Sequence, residues 1–471
     1  MDSIRIAAEP TRPVQAHLFH SRRARAQEWV LQLLRGARRH SRLISVVLVI
    51  SLGSKLLGLA REVYISSCFG VSSITDAFFG VQQLPVMMMS YMAGAFTLAF
   101  IPHYVALKEH GRQAEFLKRL LIISAGIAGV ATIVMIAGAD TLIPAIVSTP
   151  SGKDLTAQFS IVLAIALVPS VVIGIAYGVC HAEREHSKAM LLAAAGPAAM
   201  LMSLLAWDHW PASDLRYALP WSYVIGTLVA AAWAAKRIAV TFESARVPVQ
   251  NARSECPRGR KFAQQLSAAS IENVAFSLNQ LLTVHFAAST GEGGVTFNAY
   301  ALRIAMLPLS GAVTPLYQIV NTWLAKQHVT QQKSAFVKAL LLLGGACCLC
   351  AIVMYALRHI IVRLVYQRGV FSAADAASVA QVLSPYMGYF VVMALNQLFA
   401  RFYFVAGKGQ VYTGVLLAGY LIGNVLKPIG ASEFGLVGVI SGAVAGEGLA
   451  LVALTVLFLR YRARTEAWTR G

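Results

Sequence analysis

Four charged residues interrupt apolar sequence near the beginning of the chain, where they could bind an anion. Lys55, Arg61, Glu62 and Asp76 lie in or between two stretches that read as membrane helices. A charge at bilayer depth is costly, so such residues usually face a water-filled cavity or a partner. Arginine suits a phosphate ligand because its planar fork binds two oxygens and stays charged when partly desolvated. We predict a cationic wall for an anionic ligand, with Glu62 and Asp76 limiting the repulsion between cations.

Arg303 is a second arginine inside an apolar segment. It lies five residues before Pro308, with no acidic residue within one turn. Because nothing local neutralises it, we predict that it shares a water-lined cavity with Arg61. The alternatives are an ion pair with Glu272 for Arg303 and a structural pair with Glu62 for Arg61. The predicted substrate-binding residues are Lys55, Arg61, Asp76 and Arg303, and the predicted supporting or coupling residues are Glu62 and Glu272.

The sequence lacks the common catalytic and metal-binding patterns. It contains no G-x-S-x-G, H-E-x-x-H or phosphate-loop motif, and its six cysteines have no metal-ligand spacing. An ATP-driven pump would need a nucleotide-binding domain, of which the sequence has no sign. We therefore predict a protein that is not an enzyme, with no catalytic residue, no metal site and no cofactor. The identity of any coupling ion stays open.

The composition is typical of a multi-pass membrane protein. Of 471 residues, 57% are hydrophobic and 13% are charged, whereas soluble domains have about 45–50% and 25%. About twelve apolar segments approach the ~20 residues that cross the hydrocarbon core. The predicted fold class is all-α, with two six-helix bundles around a central cavity. The predicted spans are 43–66, 76–104, 118–140, 158–180, 188–207, 217–235, 263–288, 294–323, 335–357, 378–402, 410–429 and 435–459.

A polar connection at 238–262 divides the predicted helices into two sets of six. A short repeat supports the division, because Asp76 and Pro85 in the second helix resemble Asn298 and Pro308 in the eighth. Lys and Arg are concentrated in the links predicted to lie inside the cell, which predicts that both termini are cytoplasmic. The exception is a link predicted to lie outside, which contains Arg358, Arg363 and Arg368. The net charge of +19 is therefore assigned to contact with membrane lipids rather than nucleic acid. The predicted organisation is a basic tail at 1–42, a bundle at 43–237, the linker, a bundle at 263–460 and a second tail at 461–471.

Two long motifs carry a family resemblance. SKLLGLAREVYISSCFG, followed by TDAFF, LP and AGAFTLAFIP, resembles the opening of the MviN-type lipid II flippases of the multidrug/oligosaccharidyl-lipid/polysaccharide exporter superfamily. The segment VYQRGVFSAAD at 365–375 is similar to that family's loop before the tenth helix. The resemblance implies a V-shaped cationic cavity between two bundles and transfer of an undecaprenyl-pyrophosphate-linked sugar to the outer leaflet. It also implies that Arg61, Asp76 and Arg303 are cavity residues, with Lys55 and Glu62 as conservative replacements.

Several departures from the family pattern predict a divergent member. Met89 stands where the family has a functional arginine, and MAGAF lacks the glutamate of AEGAF. Leu302 and Met306 replace acidic residues beside Arg303, and the chain has about twelve helices where typical members have fourteen. The expected substrate is lipid II or another polyprenyl-linked glycan.

Two other functions remain open at this point: a cation-coupled multidrug exporter and a non-transporting scaffold of a polysaccharide-synthesis complex. The expected location is the bacterial cytoplasmic membrane, with membrane lipids and envelope-biosynthesis enzymes as further partners.

Overall fold

A computed structural model of the chain contains only helices and connecting turns among the residues that it describes. The predicted N-terminal tail up to residue 40, the middle of the predicted linker and the last seven residues lie outside the described part of the chain. The described residues are 41–109, 111–149, 151–208, 215–244, 259–313, 329–406 and 408–464, together with Leu316, Tyr317, Val320 and Leu324.

The helices follow one another along the chain with short connections. Those of the first part are α1 (Ser41–Phe69), α2 (Ser73–Glu109), α3 (Gln113–Ala137), α4 (Leu142–Val147), α5 (Lys153–Ala164), α6 (Leu167–Ala182), α7 (His186–Asp208) and α8 (Ala218–Ser244). Those of the second part are α9 (Gly259–Ser289), α10 (Gly294–Pro308), α11 (Val329–Tyr366), α12 (Ala373–Val405) and α13 (Gly409–Arg464).

Three of the predicted spans are not separate straight helices. The span at 158–180 is divided into α5 and α6, whose axes meet at 50°. Helix α13 covers both of the last two predicted spans and is broken at Gly435, where φ is 57° and ψ is −141°. By length and composition, six helices of the described residues could cross a membrane, or seven if α5 and α6 form one bent span.

The chain divides into two compact units, Met1–Ser51 and Leu52–Gly471, and all contacts described below lie within the second. Its main core contains fully buried aromatic rings from α2, α10, α11 and α12, among them Phe78, Tyr300, Tyr366 and Phe390. Large apolar side chains also cover the outside: Ile122, Ile133 and Leu341 are each more than 60% exposed in the isolated chain. A surface of this kind is stable in lipid rather than in water, which supports the predicted membrane class.

The two arms of α13 pack against each other backbone to backbone. A Cβ atom built on Gly438 would lie 1.9 Å from the carbonyl oxygen of Gly430, and one built on Gly446 would lie 2.4 Å from that of Gly419. Membrane helices pack this closely only where small residues allow it. Glycine is therefore required at these crossings by the space between the arms.

We predict that Gly438→Ala destabilises the protein, because the added methyl group forces the arms of α13 apart. Overpacking of this kind typically costs about 1–3 kcal/mol. The matched control is Gly448→Ala in the same helix, where no atom lies within 4 Å of the added Cβ. The apparent melting temperature in detergent should fall for the first variant and hold or rise for the second. Equal stability of the two variants would contradict the packing described here.

Candidate functional site

Glu62 joins two arginines that are far apart in the sequence. Its Oε1 atom accepts a hydrogen bond from Nε of Arg61 at 3.0 Å and also contacts Nη2 of that residue. Its Oε2 atom pairs with Nη1 of Arg303. Arg61 and Glu62 lie on α1 and Arg303 lies on α10, so one carboxylate holds guanidinium groups from both parts of the chain. We call these three residues the charge cluster.

The charge cluster is only partly closed to its surroundings. The Glu62 side chain is 3% exposed, whereas those of Arg61 and Arg303 are 15% and 26% exposed. Nη1 of Arg61 meets the sulfur of Met200 at 3.8 Å, and a thioether is a weak acceptor. Two guanidinium charges and one carboxylate leave one net positive charge with donors still available. An anion that reached the cluster would find ligands there.

Helix α2 supplies the remaining contacts of Arg303. Nη2 of Arg303 donates to Oε1 of Gln82 at 3.2 Å, and its guanidinium lies 4.4 Å from the ring centroid of Phe79. Such cation–π contacts favour a partly desolvated cation. The ring of Phe79 also packs edge-on against the ring of Tyr300, which lies about one turn before Arg303 on α10. The two ring centroids are 5.4 Å apart. The contacts fix the orientation of Arg303 towards Glu62.

Asp76 lies at the beginning of α2 and holds the beginning of α10. One carboxylate oxygen accepts from the backbone N–H of Gly293 at 2.6 Å. The other accepts from the backbone N–H and the hydroxyl of Thr296 at 2.9 and 2.6 Å. A carboxylate at a helix N-terminus satisfies free N–H groups and favours the helix dipole. Asp76 is only 1% exposed, so its bonding capacity is already used by α10.

A second contact closes the same end of the helices. The backbone N–H of Val370, in the loop between α11 and α12, donates to the carbonyl of Ser67 at the end of α1 at 3.0 Å. Gly369 has a φ of +58°, and a Cβ there would lie 2.1 Å from the same carbonyl. Only glycine fits both the conformation and the space. The sequence segment at 365–375 thus docks on α1 beside the Asp76 contact.

The other predicted site residues lie apart from the charge cluster. Lys55 is on α1 seven residues before Glu62, half-buried, and makes no ion pair with a residue of the described chain. Arg303 pairs with Glu62 and, among the described residues, makes no ion pair with Glu272 of α9, which was the alternative considered for it. Glu272 interacts electrostatically with Arg401 of α12. Met89 packs against an apolar cluster centred on Phe100 and Leu117. No three His, Cys, Asp or Glu side chains of the described residues come together as metal ligands would.

Sequence reasoning missed several residues that the structure brings to the site. Gln82 and Thr296 carry no charge and look like ordinary helix-packing residues, and Gly293 looks like a loop glycine. The signal that could have found Gln82 together with Asp76 is the interval of three residues from Asp76 to Phe79 and again from Phe79 to Gln82, which keeps each successive pair on one face of α2. Their partner helix could not be read from that spacing.

A comparison with protein families identifies the relatives of this chain. The model of the family described as "Lipid II flippase MurJ" matches residues 65–469, which include every member of the site except Lys55, Arg61 and Glu62. The chain belongs to the lipid II flippase MurJ family. It is 24% identical over 401 residues to the lipid II flippase MurJ of Burkholderia cenocepacia, covering 80% of this chain and 76% of that protein. It is 21% identical over 461 residues to the probable lipid II flippase MurJ of Synechocystis, covering 93% and 84%.

Solved structures share the fold. A structure titled lipid II flippase MurJ in an inward closed conformation superposes with a TM-score of 0.74 and 16% identity, covering 86% of each chain. An inward-facing multidrug resistance transporter of the MATE family superposes with a TM-score of 0.70 and 15% identity, covering 90% of this chain and 99% of that one. At these identities the comparison shows that this chain has the same fold as the two structures.

We predict that Glu62→Gln destabilises the protein, because two guanidinium groups then share one site without a carboxylate. Removing one partner of a buried ion pair costs about 3–5 kcal/mol, and we expect a smaller loss because both arginines are partly exposed. The apparent melting temperature in detergent measures the effect.

Two further variants test whether the loss comes from charge. Adding Arg303→Met to Glu62→Gln should recover part of the stability, since a single cation then remains. Glu115→Gln is the control, because Glu115 pairs with Arg119 at an exposed position and should change stability little. A Glu62→Gln protein as stable as the wild type would refute the role of the shared carboxylate.

Proposed function

We propose that this protein moves a lipid-linked, pyrophosphate-bearing glycan, lipid II or a related envelope precursor, between the leaflets of the bacterial cytoplasmic membrane. The observation that carries the proposal is the charge cluster: two arginines from distant helices share one carboxylate at a partly exposed position within apolar surroundings. Intramembrane arginines that face a cavity usually mark a substrate pathway. A guanidinium fork binds phosphate oxygens bidentately, so two such forks suit a diphosphate.

The proposed architecture has twelve membrane passes in two bundles, 43–237 and 263–460, joined by a cytoplasmic linker. The count takes α1, α2, α9 and α10 as passes beside α3, α7, α8, α11 and α12, with α5 and α6 as one bent pass and the two arms of α13 as two. Helices α1 and α2 then belong to the first bundle and α10 to the second. The charge cluster and the Asp76 contact would both join the two bundles. The Lys and Arg distribution places both termini, and the predicted basic tails, in the cytoplasm.

Competition for the arginines gives the cluster a role in substrate binding. Without substrate, Glu62 neutralises part of the charge on Arg61 and Arg303, which makes two cations tolerable at this depth. A diphosphate carries more charge and more oxygen atoms than one carboxylate, so it can take over donors from Glu62. Loss of the bond between Glu62 and Arg303 would release one link between the bundles. Substrate binding and opening would be coupled in this way.

The Asp76 contact is proposed as the closure on the outer side. With the termini in the cytoplasm, the turn between α1 and α2 faces outward, and so do the beginnings of α2 and α10. Asp76 ties these helices together through three hydrogen bonds, and Val370 adds a bond to Ser67. Both contacts must break for the outer side to open. Asp76, predicted from sequence as a substrate ligand, is thus assigned to gating.

The cluster does not favour a multidrug exporter for cationic compounds, although MATE transporters share the fold. Such a cavity should present free acidic groups, whereas Glu62 is engaged by two arginines. A non-transporting scaffold remains distinguishable by experiment, because it would leave lipid-linked glycans on one leaflet. A leaflet-exchange measurement in vesicles that compares lipid II with other undecaprenyl-linked saccharides separates a scaffold from a transporter.

We predict that Arg61→Ala and Arg303→Ala each lower the rate of leaflet exchange in reconstituted vesicles. Loss of one hydrogen bond to a charged group is worth about 1.5–3 kcal/mol, or roughly ten- to a hundredfold in rate. Arg61→Lys keeps the positive charge, yet its rate of leaflet exchange should stay below that of the wild type. A lysine cannot bind phosphate with a planar fork. Exchange is measured by the accessibility of the headgroup to an enzyme added outside.

Membrane levels of the variants must stay normal for this test to count. Arg119→Ala is the control, since Arg119 is 73% exposed and, among the described residues, forms its ion pair with Glu115 one turn away. Full transport by both alanine variants of the charge cluster would reject the proposed substrate site.

We predict that a disulfide between Thr75→Cys and Thr296→Cys blocks transport and that reduction restores it. The two hydroxyl oxygens lie 3.1 Å apart across the proposed outer closure, so the bond would hold α2 against α10. The background should carry Cys68→Ser, because Cys68 is an exposed thiol close to this end of α1.

A pair with the same spacing within one proposed bundle supplies the control. The hydroxyls of Ser203 on α7 and Ser222 on α8 are also 3.1 Å apart. Their replacement by two cysteines should leave transport unchanged under oxidising conditions. Transport that continues with the 75–296 disulfide formed would exclude movement at this contact.

A further inference from the structure

A lysine with no exposed surface lies in α13, far along the chain from the charge cluster. Lys427 is 0% exposed, and its side-chain nitrogen contacts three oxygen atoms at 2.7 Å. Two are the backbone and side-chain oxygens of Asn279 on α9, and the third is the side-chain oxygen of Asn424 on α13 itself. An intramembrane lysine normally reaches the interface or pairs with an acid. Lys427 does neither within the described residues.

The number of acceptors favours one form of the amine. A lysine ammonium has three N–H donors, whereas the neutral amine has two. Three oxygens at the same short distance match the ammonium, with each N–H directed at one acceptor. The three oxygen atoms therefore suit a cation, and they are arranged around the ammonium group as oxygen ligands are arranged around a free cation.

The nearest acidic group does not replace any of these ligands. Glu447, in the second arm of α13, acts electrostatically on Lys427, yet the described residues contain no ion pair between them within 4.0 Å. Glu447 is itself 3% exposed, and its Oε1 atom has no hydrogen-bond partner in the described chain. In its ionised form, Glu447 would support a cation in this region without direct contact. The neutral oxygens of Asn279 and Asn424 make the direct contacts.

The walls of this pocket are backbone atoms that leave little room for rearrangement. A Cβ on Gly442 would lie 3.0 Å from the backbone nitrogen of Lys427, so the second arm of α13 touches the first at this residue. The carbonyl of Asn279 also accepts a hydrogen bond from the hydroxyl of Thr283 at 2.8 Å. The position of the oxygen ligands is thus set by the packing of α9 and α13.

We propose that α9 and α13 form a pocket for a monovalent cation and that the Lys427 ammonium occupies it permanently, in place of a dissociable ion. The pocket would take a small primary ammonium ion or Na⁺ if the lysine side chain were removed. The inference concerns binding and stability, and it does not rest on the proposed transport of a glycan. Its consequence for a transporter is that sodium or potassium binding at this position cannot drive the cycle.

Chemical rescue of Lys427→Ala tests the pocket. The substitution removes the atoms from Cγ to Nζ, which n-propylammonium reproduces in size, charge and number of donors. The apparent melting temperature should fall by several degrees and recover at least half of the loss with n-propylammonium chloride. Tetramethylammonium chloride at the same ionic strength should give no recovery, because it has the charge without N–H donors. NaCl compared with choline chloride tests whether the emptied pocket also takes a metal ion.

Two further variants complete the comparison. Lys427→Met fills the same volume without charge, so it should be destabilised and should not respond to n-propylammonium. Lys188→Ala removes an exposed lysine that pairs with Glu185, and it should respond to no cation. Recovery of Lys427→Ala by n-propylammonium or Na⁺, but not by tetramethylammonium, supports the pocket. Absence of recovery by both, or equal recovery by tetramethylammonium, overturns it.

The wild-type protein gives a measurement that does not depend on the folding of a variant at Lys427. Its apparent melting temperature should be the same in NaCl, KCl and choline chloride at equal ionic strength. Sodium-specific stabilisation that disappears in Asn279→Ala would overturn the proposal, because the pocket would then be open to dissolved ions. Equal stability, or a sodium effect that Asn279→Ala leaves intact, agrees with a pocket closed by Lys427.

Discussion

The arrangement of the site depends on the sharing of one carboxylate by two guanidinium groups. Arg61 and Arg303 lie on helices separated by more than two hundred residues, in apolar surroundings where an unpaired charge is costly. Glu62 makes their approach possible because it neutralises half of the combined charge. The remaining charge and the exposed edges of both arginines leave a place where an anion is favoured. Any ligand that binds there must compete with Glu62.

Helix α2 connects this electrostatic site with the closure at its own beginning. Asp76, Phe79 and Gln82 follow one another at intervals of three residues, and each contacts α10. Asp76 accepts hydrogen bonds from Thr296, Phe79 packs on the ring of Tyr300, and Gln82 accepts a hydrogen bond from Arg303. The partners on α10 are spaced by four and three residues, which is one stripe of that helix. A movement of Arg303 would therefore be transmitted to Asp76 along these two helices. Such a continuous contact between two helices is one way in which the proposed binding site could be coupled to the proposed gate.

The sequence predicted the helices better than their contacts. Long apolar segments and the polar link between them gave most helix boundaries to within several residues, because hydropathy directly reflects the cost of burying backbone and side chains in lipid. The intramembrane charges of Arg61 and Arg303 also pointed to one cavity, and the structure places both arginines on Glu62. The sharing of Glu62 was not predicted, since helical periodicity defines the face on which a residue lies but not the helix that it meets. Asp76 illustrates the same limit: its carboxylate looked available in sequence, yet Gly293 and Thr296 already occupy it.

Lys427 was overlooked because it lies near the end of an apolar segment, where a lysine usually reaches the membrane surface. Its actual surroundings differ from those of Arg303 in a way that separates their roles. Arg303 is partly exposed and held by an anion, so a stronger anion can displace its partner. Lys427 is wholly buried and held by neutral oxygens. A dissolved anion cannot reach its ammonium group, and a dissolved cation cannot take its place because the ammonium is covalently tethered. Of these two groups, Arg303 is therefore the one whose partner could be exchanged for a ligand, whereas the contacts of Lys427 join α9 to α13.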